Sequence, residues 1–254
     1  MSGIFGLRRV LALLLLAAGA GAAVAEDAPE VLAAPQLLER LQEARRAGDV
    51  RAIEALVKAS SEAHNRCRSA STRVRLRSAL GELVRDESAG GNRLYAIDAL
   101  GRMDDPQGAW RELRRSVPDP AAEKVDAAGR RVIRALGLLT YDPSLDDLKR
   151  MARDGRDPET VSLAAEALGR FRFSRYRADI LETMYAVGRD TETSTRRGAT
   201  RDDEPRQRWL RVVGDIVRAM DVLTGRRVGS LDRYEALVQE NGGRWDKLFA
   251  EDGR

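Results

Sequence analysis

Histidine occurs once in this chain of 254 residues, as His64, and cysteine once, as Cys67. A protein zinc site draws three or four ligands mainly from Cys and His, so a site of that kind is excluded. A single Cys also excludes an internal disulfide, and the fold must hold by packing alone. Lysine is nearly absent: apart from Lys58, Lys124, Lys149 and Lys247, every basic residue is Arg. Aromatic residues make up 5% of the chain, and no stretch alternates with period two for long enough to make a strand. A glycine-rich phosphate loop, which needs a preceding strand, is therefore excluded too. The 44 basic residues are nearly balanced by 40 acidic ones, for a formal net charge of +4. Nucleic-acid binders concentrate basic charge on one face, and this composition predicts no nucleic-acid partner.

Long apolar runs are scarce as well. The single unbroken one is Val10 to Ala18, preceded by Arg8-Arg9 and followed by Ala23-Val24-Ala25 and then Glu26-Asp27. A basic start, a short apolar run, a small-x-small cleavage site and an acidic turn read as a secretory signal over residues 1–25. The run is shorter than the roughly 20 residues that span a bilayer, although a retained anchor is the alternative. The only Cys is far from the cut, so a lipid anchor is excluded there, and Arg8-Arg9 lacks the rest of a twin-arginine signal. The expected location is periplasmic or extracellular, with no membrane span once the signal is gone.

What is abundant is Ala, Leu and charge, and these repeat. Ala96-Ile97-Asp98-Ala99-Leu100-Gly101, Val132-Ile133-Arg134-Ala135-Leu136-Gly137 and Ala164-Ala165-Glu166-Ala167-Leu168-Gly169 share one pattern. Two apolar residues precede a charge, then Ala-Leu-Gly follows, at spacings of 36 and 32 residues between Ala99, Ala135 and Ala167. Weaker copies lie at Ala52-Ile53-Glu54-Ala55-Leu56 and Ile216-Val217-Arg218-Ala219-Met220. Asp-Pro occurs at 105–106, 119–120, 142–143 and 157–158. Asp caps the free N–H groups of a first turn and Pro suits the next position, so each pair predicts a helix start. The expectation is two helices per repeat and five repeats. The Gly of each motif, near a helix end, is expected to take a left-handed conformation.

The pairs resemble HEAT repeats of the type whose second helix ends in Ala-Leu-Gly, over roughly residues 36 to 224. The resemblance implies an all-α fold, a right-handed α-solenoid of about five HEAT-like helix pairs that binds another protein on its concave side. One helix pair cannot bury its own apolar stripe, so three or more must stack. The repeat domain is expected over 26–225 and a C-terminal helical cap over 226–254, where Leu231, Tyr234, Leu237 and Val238 suit a short helix ended by Gly242-Gly243. Residues 188–205, with no apolar side chain larger than Ala before Pro205, read as an exposed insertion loop.

Few residues carry chemistry. Metal hydroxylases of similar architecture need several His-Glu pairs, and this chain has none. His64-Asn65-Arg66-Cys67 could pair a thiolate with an imidazole, as in a lyase, but both residues are expected in the connection between the first two helix pairs. Arg66, Arg68, Arg73, Arg75 and Arg77 form a local basic cluster. In the repeat register, Lys58, Arg102 and Arg170 are equivalent, with Arg131 and Arg134 beside them and Leu138 and Val222 breaking the row. These five basic residues are the candidate partner-binding set, either solvated and paired with Asp98 and Glu166 or forming a groove for an acidic peptide or anionic envelope polymer. The leading expectation is a non-catalytic interaction scaffold with no cofactor. The alternatives are an enzyme or enzyme subunit using Cys67 and His64, and a structural envelope component on anionic surfaces.

Overall fold

The computed structural model describes residues 34–197 and 204–249, so the expected signal over 1–25 lies outside them. The described part is all-helical: eleven α-helices packed against each other, with no strand among these residues. In chain order they are α1 (Ala34–Ala47), α2 (Val50–Arg66), α3 (Ala70–Arg85), α4 (Gly91–Leu100), α5 (Pro106–Arg114) and α6 (Ala127–Leu139). Then come α7 (Leu145–Asp154), α8 (Pro158–Gly169), α9 (Arg177–Arg197), α10 (Glu204–Thr224) and α11 (Leu231–Glu240). Short 3₁₀ turns occupy Glu87–Ala89, Asp142–Ser144 and Trp245–Leu248.

Side-chain caps set many of the starts. Asp49, Ser69, Asp105, Asp126, Asp157 and Ser230 each accept a hydrogen bond from a backbone N–H of the first turn, an arrangement that stabilises a helix by about 1 kcal/mol. Two of the four Asp-Pro pairs, at 105 and 157, open α-helices, and Asp142-Pro143 opens the 3₁₀ turn that leads into α7. Asp119-Pro120 opens none. The Pro120 carbonyl accepts from Arg156 N–H at 3.2 Å instead of from an amide one turn on. The helix begins later, where Asp126 Oδ1 accepts from Gly129 N–H at 2.7 Å.

Helices pack in consecutive couples: α1 with α2, α3 with α4, α5 with α6, α7 with α8, and α9 with α10. The second members also touch in series, α2 to α4 to α6 to α8 to α10. One continuous apolar cluster runs through them, with Leu80, Leu100, Leu136, Leu168, Ile216 and Met220 fully buried. The Ala-Leu-Gly motifs sit at the second-helix contacts. A Cβ on Gly101 would lie 2.9 Å from Ala135 Cβ, one on Gly137 would lie 2.7 Å from Ala167 Cα, and one on Gly169 would lie 3.1 Å from Ala219 Cα. The Gly of each motif therefore meets the Ala of the next. This corrects the expected left-handed role: Gly101 has φ −63°, and the positive-φ glycines are Gly48, Gly90, Gly225, Gly229, Gly242 and Gly243. Small size, not backbone freedom, is what the motif Gly supplies.

The expected loop over 188–205 is also corrected. Helix α9 continues through residue 197, and Glu204 and Pro205 already belong to α10; residues 198–203 lie outside the described part. Polarity does not stop a helix when nothing breaks it, and no Gly or Pro occurs from Arg189 to Arg197. Thr191 and Thr195 donate their hydroxyl protons to the carbonyls of Val187 and Thr191, at 2.7 and 2.8 Å. Gly188 is tolerated because it packs against Leu231 and Ile216.

Beyond Gly225, whose φ is +70°, the chain turns back and α11 buries Leu231, Tyr234 and Val238. The fully buried Tyr234 donates to Asp221 Oδ1 at 2.9 Å, and the same oxygen accepts from Val228 N–H at 3.0 Å. Burial holds the Tyr234 phenol well above its ordinary range. Gly242 and Gly243, both at positive φ, end the helix. Trp245 then packs on Tyr185 of α9 at a centroid distance of 5.0 Å.

Two substitutions at glycine separate crowding from propensity. Gly137→Ala forces α6 and α8 apart and is expected to cost about 1–3 kcal/mol. Gly214→Ala, on the exposed side of α10 with nothing within 4 Å of the new Cβ, is expected to stabilise by about 0.5–1 kcal/mol. Chemical denaturation of both variants reads the opposite signs. Tyr234→Phe leaves the Asp221–Val228 bond but removes the phenol donor, and stability in the same assay should fall by about 1 kcal/mol.

Candidate functional site

The five basic residues of the candidate set all fall on the second members of the helix couples or just past their ends, and the structure gives them different surroundings. Arg131 on α6 is ion-paired with Asp98 on α4. Arg170 Nη2 donates to Glu166 Oε1, one turn back on α8, at 2.9 Å. Lys58, Arg102 and Arg134 are exposed and have no ion-pair partner among the described residues. Lys58 and Arg102 share a groove of about 410 Å³ between α2 and α4, but Glu54, Glu62 and Asp98 line it too. Between α8 and α10 a groove of about 520 Å³ holds Arg170 with Glu166, Asp215 and Arg218, the last two ion-paired with each other. Acidic residues therefore stand beside Lys58, Arg102, Arg131 and Arg170 in the expected basic ladder.

The same face carries apolar side chains that the basic register treated only as gaps. Leu138 is 47% exposed and Val222 53% exposed, and Tyr95 on α4 is part-exposed in the α2–α4 groove. Their positions were legible as the two breaks in the row. Their exposure was not, because the motif is apolar on both sides of its charge.

Two of the five arginines of the local cluster are spent on the turn between α4 and α5. Arg73 pairs with Asp104 and Arg77 with Asp105, the residue that caps α5. Arg66 lies 3.7 Å from Glu62. The first two pairs tie α3 to the turn that follows α4.

No side-chain hydrogen bond joins His64 and Cys67, the pair that could have made a nucleophile. His64 lies in the last turn of α2, not in a connection, and is fully buried. Its Nδ1 is 3.1 Å from Asn65 Oδ1 and 3.4 Å from Asp104 Oδ1, while Nε2 is buried with no hydrogen-bond partner. Cys67 follows as the half-buried C-cap of that helix, and its Sγ faces the Ser69 carbonyl at 3.8 Å. The helix geometry turns the ring inward, on the side where the small Ser60 and Ser61 are also buried. Ser61 donates its hydroxyl proton to the Ala99 carbonyl at 3.2 Å. Asn65 spans the same junction, donating to the Arg102 carbonyl and accepting from Asp104 N–H.

Among the described residues no three His, Cys, Asp or Glu side chains gather in a way that could hold a metal ion, and no helix is long and apolar enough to cross a membrane. A cavity of about 660 Å³ lies between the end of α7 and the polar stretches of α9 and α10, with Val161 and Trp209 among its apolar walls. Compared with protein-family models, curated proteins and solved structures, the chain matches none of them. Fold and surface together define an all-helical protein with a mixed charged and apolar face along its second helices.

Burial lowers the His64 pKa from its ordinary value of 6.5, against weaker opposing contributions from Asn65 and Asp104. The folded pKa lies below the unfolded one, so this group's contribution is fully present above pH 6.5. It is lost as the pH falls toward the folded value, because the unfolded chain takes up the proton first. The thermal midpoint is expected to drop between about pH 7.5 and about pH 5.5 in the wild type. His64→Met should flatten that part of the curve; an unchanged slope would exclude His64 as its cause.

Proposed function

We propose that the chain is an exported, non-catalytic protein-interaction scaffold, a right-handed α-solenoid of HEAT-like helix couples whose second helices form the binding face. The couples α1–α2 to α9–α10 and the serial contacts of the second helices support this architecture. The repeating approach of Gly101, Gly137 and Gly169 to the Ala of the following motif supports a repeated unit. Fold by itself does not define function, and the reading of a protein partner rests on one surface observation. Leu138 and Val222 are exposed on the same face where Arg131, Arg170 and Arg218 are already paired with carboxylates. A face on which Arg131, Arg170 and Arg218 are held by carboxylates, with apolar side chains between them, suits another protein better than a polyanion, since the fully buried centre of an interface is depleted in charge.

Lys58, Arg102 and Arg134, which keep no ion-pair partner among the described residues, favour an anionic envelope polymer as the second reading. Affinity capture from an envelope extract at low and high salt distinguishes the two. A protein partner should be retained at both salts and lost at least about tenfold with the Leu138→Asp/Val222→Asp double variant, by analogy with central interface residues. An anionic polymer should be released by salt and lost with Arg102→Glu/Arg134→Glu, while ignoring the apolar changes. Retention by both double variants at wild-type level would rule out this face. An enzyme that depends on Cys67 would lose turnover, not partner retention, on Cys67→Ser.

A further inference from the structure

The segment joining α8 to α9 reads Arg170-Phe171-Arg172-Phe173-Ser174-Arg175-Tyr176-Arg177, with basic and aromatic residues interleaved. Phe171 is buried and anchors it. Ser174 Oγ donates to Asp142 Oδ1 at 2.7 Å, and backbone bonds from Ser174 N–H to the Phe171 carbonyl and from Arg177 N–H to the Ser174 carbonyl fold it into successive turns. Held this way, the segment presents Phe173 to solvent with 86% of its surface exposed, more than any other large apolar side chain described. Tyr176 beside it is 40% exposed.

Positive charge surrounds this point. The Arg172 guanidinium carbon lies 5.9 Å from the Phe173 ring centroid, and that of Arg175 lies 4.7 Å from the Tyr176 ring. Arg172 Nη2 also reaches the turn at Gly225, within 3.1 Å of where a Cβ there would stand. Arg226 and Arg227, both exposed, continue that turn. Arg172, Arg175, Arg226 and Arg227 have no carboxylate partner among the described residues, unlike Arg131, Arg170 and Arg218 on the second-helix face. Asp221, the acidic residue nearest in sequence to Arg226 on its N-terminal side, is occupied by Tyr234 and by Val228 N–H.

We propose that this end of the molecule docks on an anionic phospholipid surface. Phe173 enters the boundary between headgroups and acyl chains, and Arg172, Arg175, Arg226 and Arg227 pair with lipid phosphates. The combination selects the partner. A polyanion in solution would use the arginines and gain nothing from a bare phenyl ring. A peptide or protein would need a recess to enclose that ring, whereas an 86% exposed side chain on a folded turn projects outward. A bilayer interface accepts a protruding apolar group and offers phosphates around it. Arginine suits the rim because its fork donates to phosphate through several N–H groups while its stem stays apolar.

The test uses the full chain and its variants with phosphatidylcholine vesicles, with and without phosphatidylglycerol. The apolar run at residues 10–18 is present in every variant and contributes equally. Phe173→Trp places a reporter at the tip, read as the difference from wild type because of the three native Trp residues. Its emission is expected to shift to the blue and to be quenched by acyl-brominated lipid on the anionic vesicles. Phe173→Ser should lower the vesicle partition coefficient about tenfold, and Arg172→Glu/Arg175→Glu should lower it by more than about tenfold. Thermal unfolding of each variant checks that the fold is intact. An unshifted, unquenched difference signal from the Phe173→Trp variant on anionic vesicles would overturn the proposal even if the chain sediments with them. So would retention on inorganic polyphosphate that depends on the arginines while Phe173→Ser leaves vesicle binding unchanged.

Discussion

The close approach of one second helix to the next governs most of what surrounds it. At three consecutive junctions, α4 to α6, α6 to α8 and α8 to α10, a glycine without Cβ faces an alanine with the smallest side chain that has one. Dispersion attraction falls off steeply with gaps of even about half an ångström, so this pairing lets Leu100, Leu136 and Leu168 fill the layer beneath with no exposure. The same approach places the outward side chains of neighbouring helices within reach of each other. Arg131 reaches Asp98 across α4 and α6, and Ser162 reaches Asp215 across α8 and α10. The Arg131–Asp98 pair is thus a consequence of backbone spacing, whereas Arg170–Glu166 and Arg218–Asp215 form along α8 and α10 themselves.

The first junction shows what happens when the glycine is missing. Val57 stands at the motif position in α2 and is buried. The contact with Ala99 is made by Ser61 instead, one helical turn further along. A hydroxyl in that contact must find a partner, and it finds the Ala99 carbonyl. The next turn then carries His64 into the interior and sets Asn65 against the turn after α4. The buried imidazole with its unpartnered Nε2 lies on the same buried side of α2, two turns after Val57, and burial lowers its pKa.

These particulars mark how far the sequence could be read. The Ala-Leu-Gly spacing, the caps at Asp105 and Asp157 and the short helix around Tyr234 were legible because each depends on local geometry or on periodic burial. The role of the motif glycine was not, since a left-handed turn and a close contact both favour Gly, and only the neighbouring helix distinguishes them. Asp119-Pro120 misled because the Pro120 carbonyl is taken by Arg156 N–H, from the connection between α7 and α8 and 36 residues away. The polar end of α9 has the composition of a loop, yet no Gly or Pro breaks it between Arg189 and Arg197. For the candidate site, the residue positions were legible, but pairing was not: whether Arg131 or Arg134 holds a carboxylate depends on which helix lies alongside.

Arginine outnumbers lysine about tenfold in this chain, and its multiple donors are used in two opposite ways. Arg189 on α9 is the clearest internal use. It donates to the Tyr185 hydroxyl, Glu192 and Glu235 and pairs with Asp232, joining α9 to α11 through one side chain. A lysine ammonium could not present that planar set of donors. The arginines at 172, 175, 226 and 227 are the other use, with no carboxylate to meet among the described residues and an exposed phenyl ring among them. On the second-helix face Arg131, Arg170 and Arg218 meet carboxylates from within, which supports the proposed protein partner with little charge at its centre. The proposed docking of the α8–α9 end joins negative charge with an apolar phase, a demand different from that of the proposed second-helix interface.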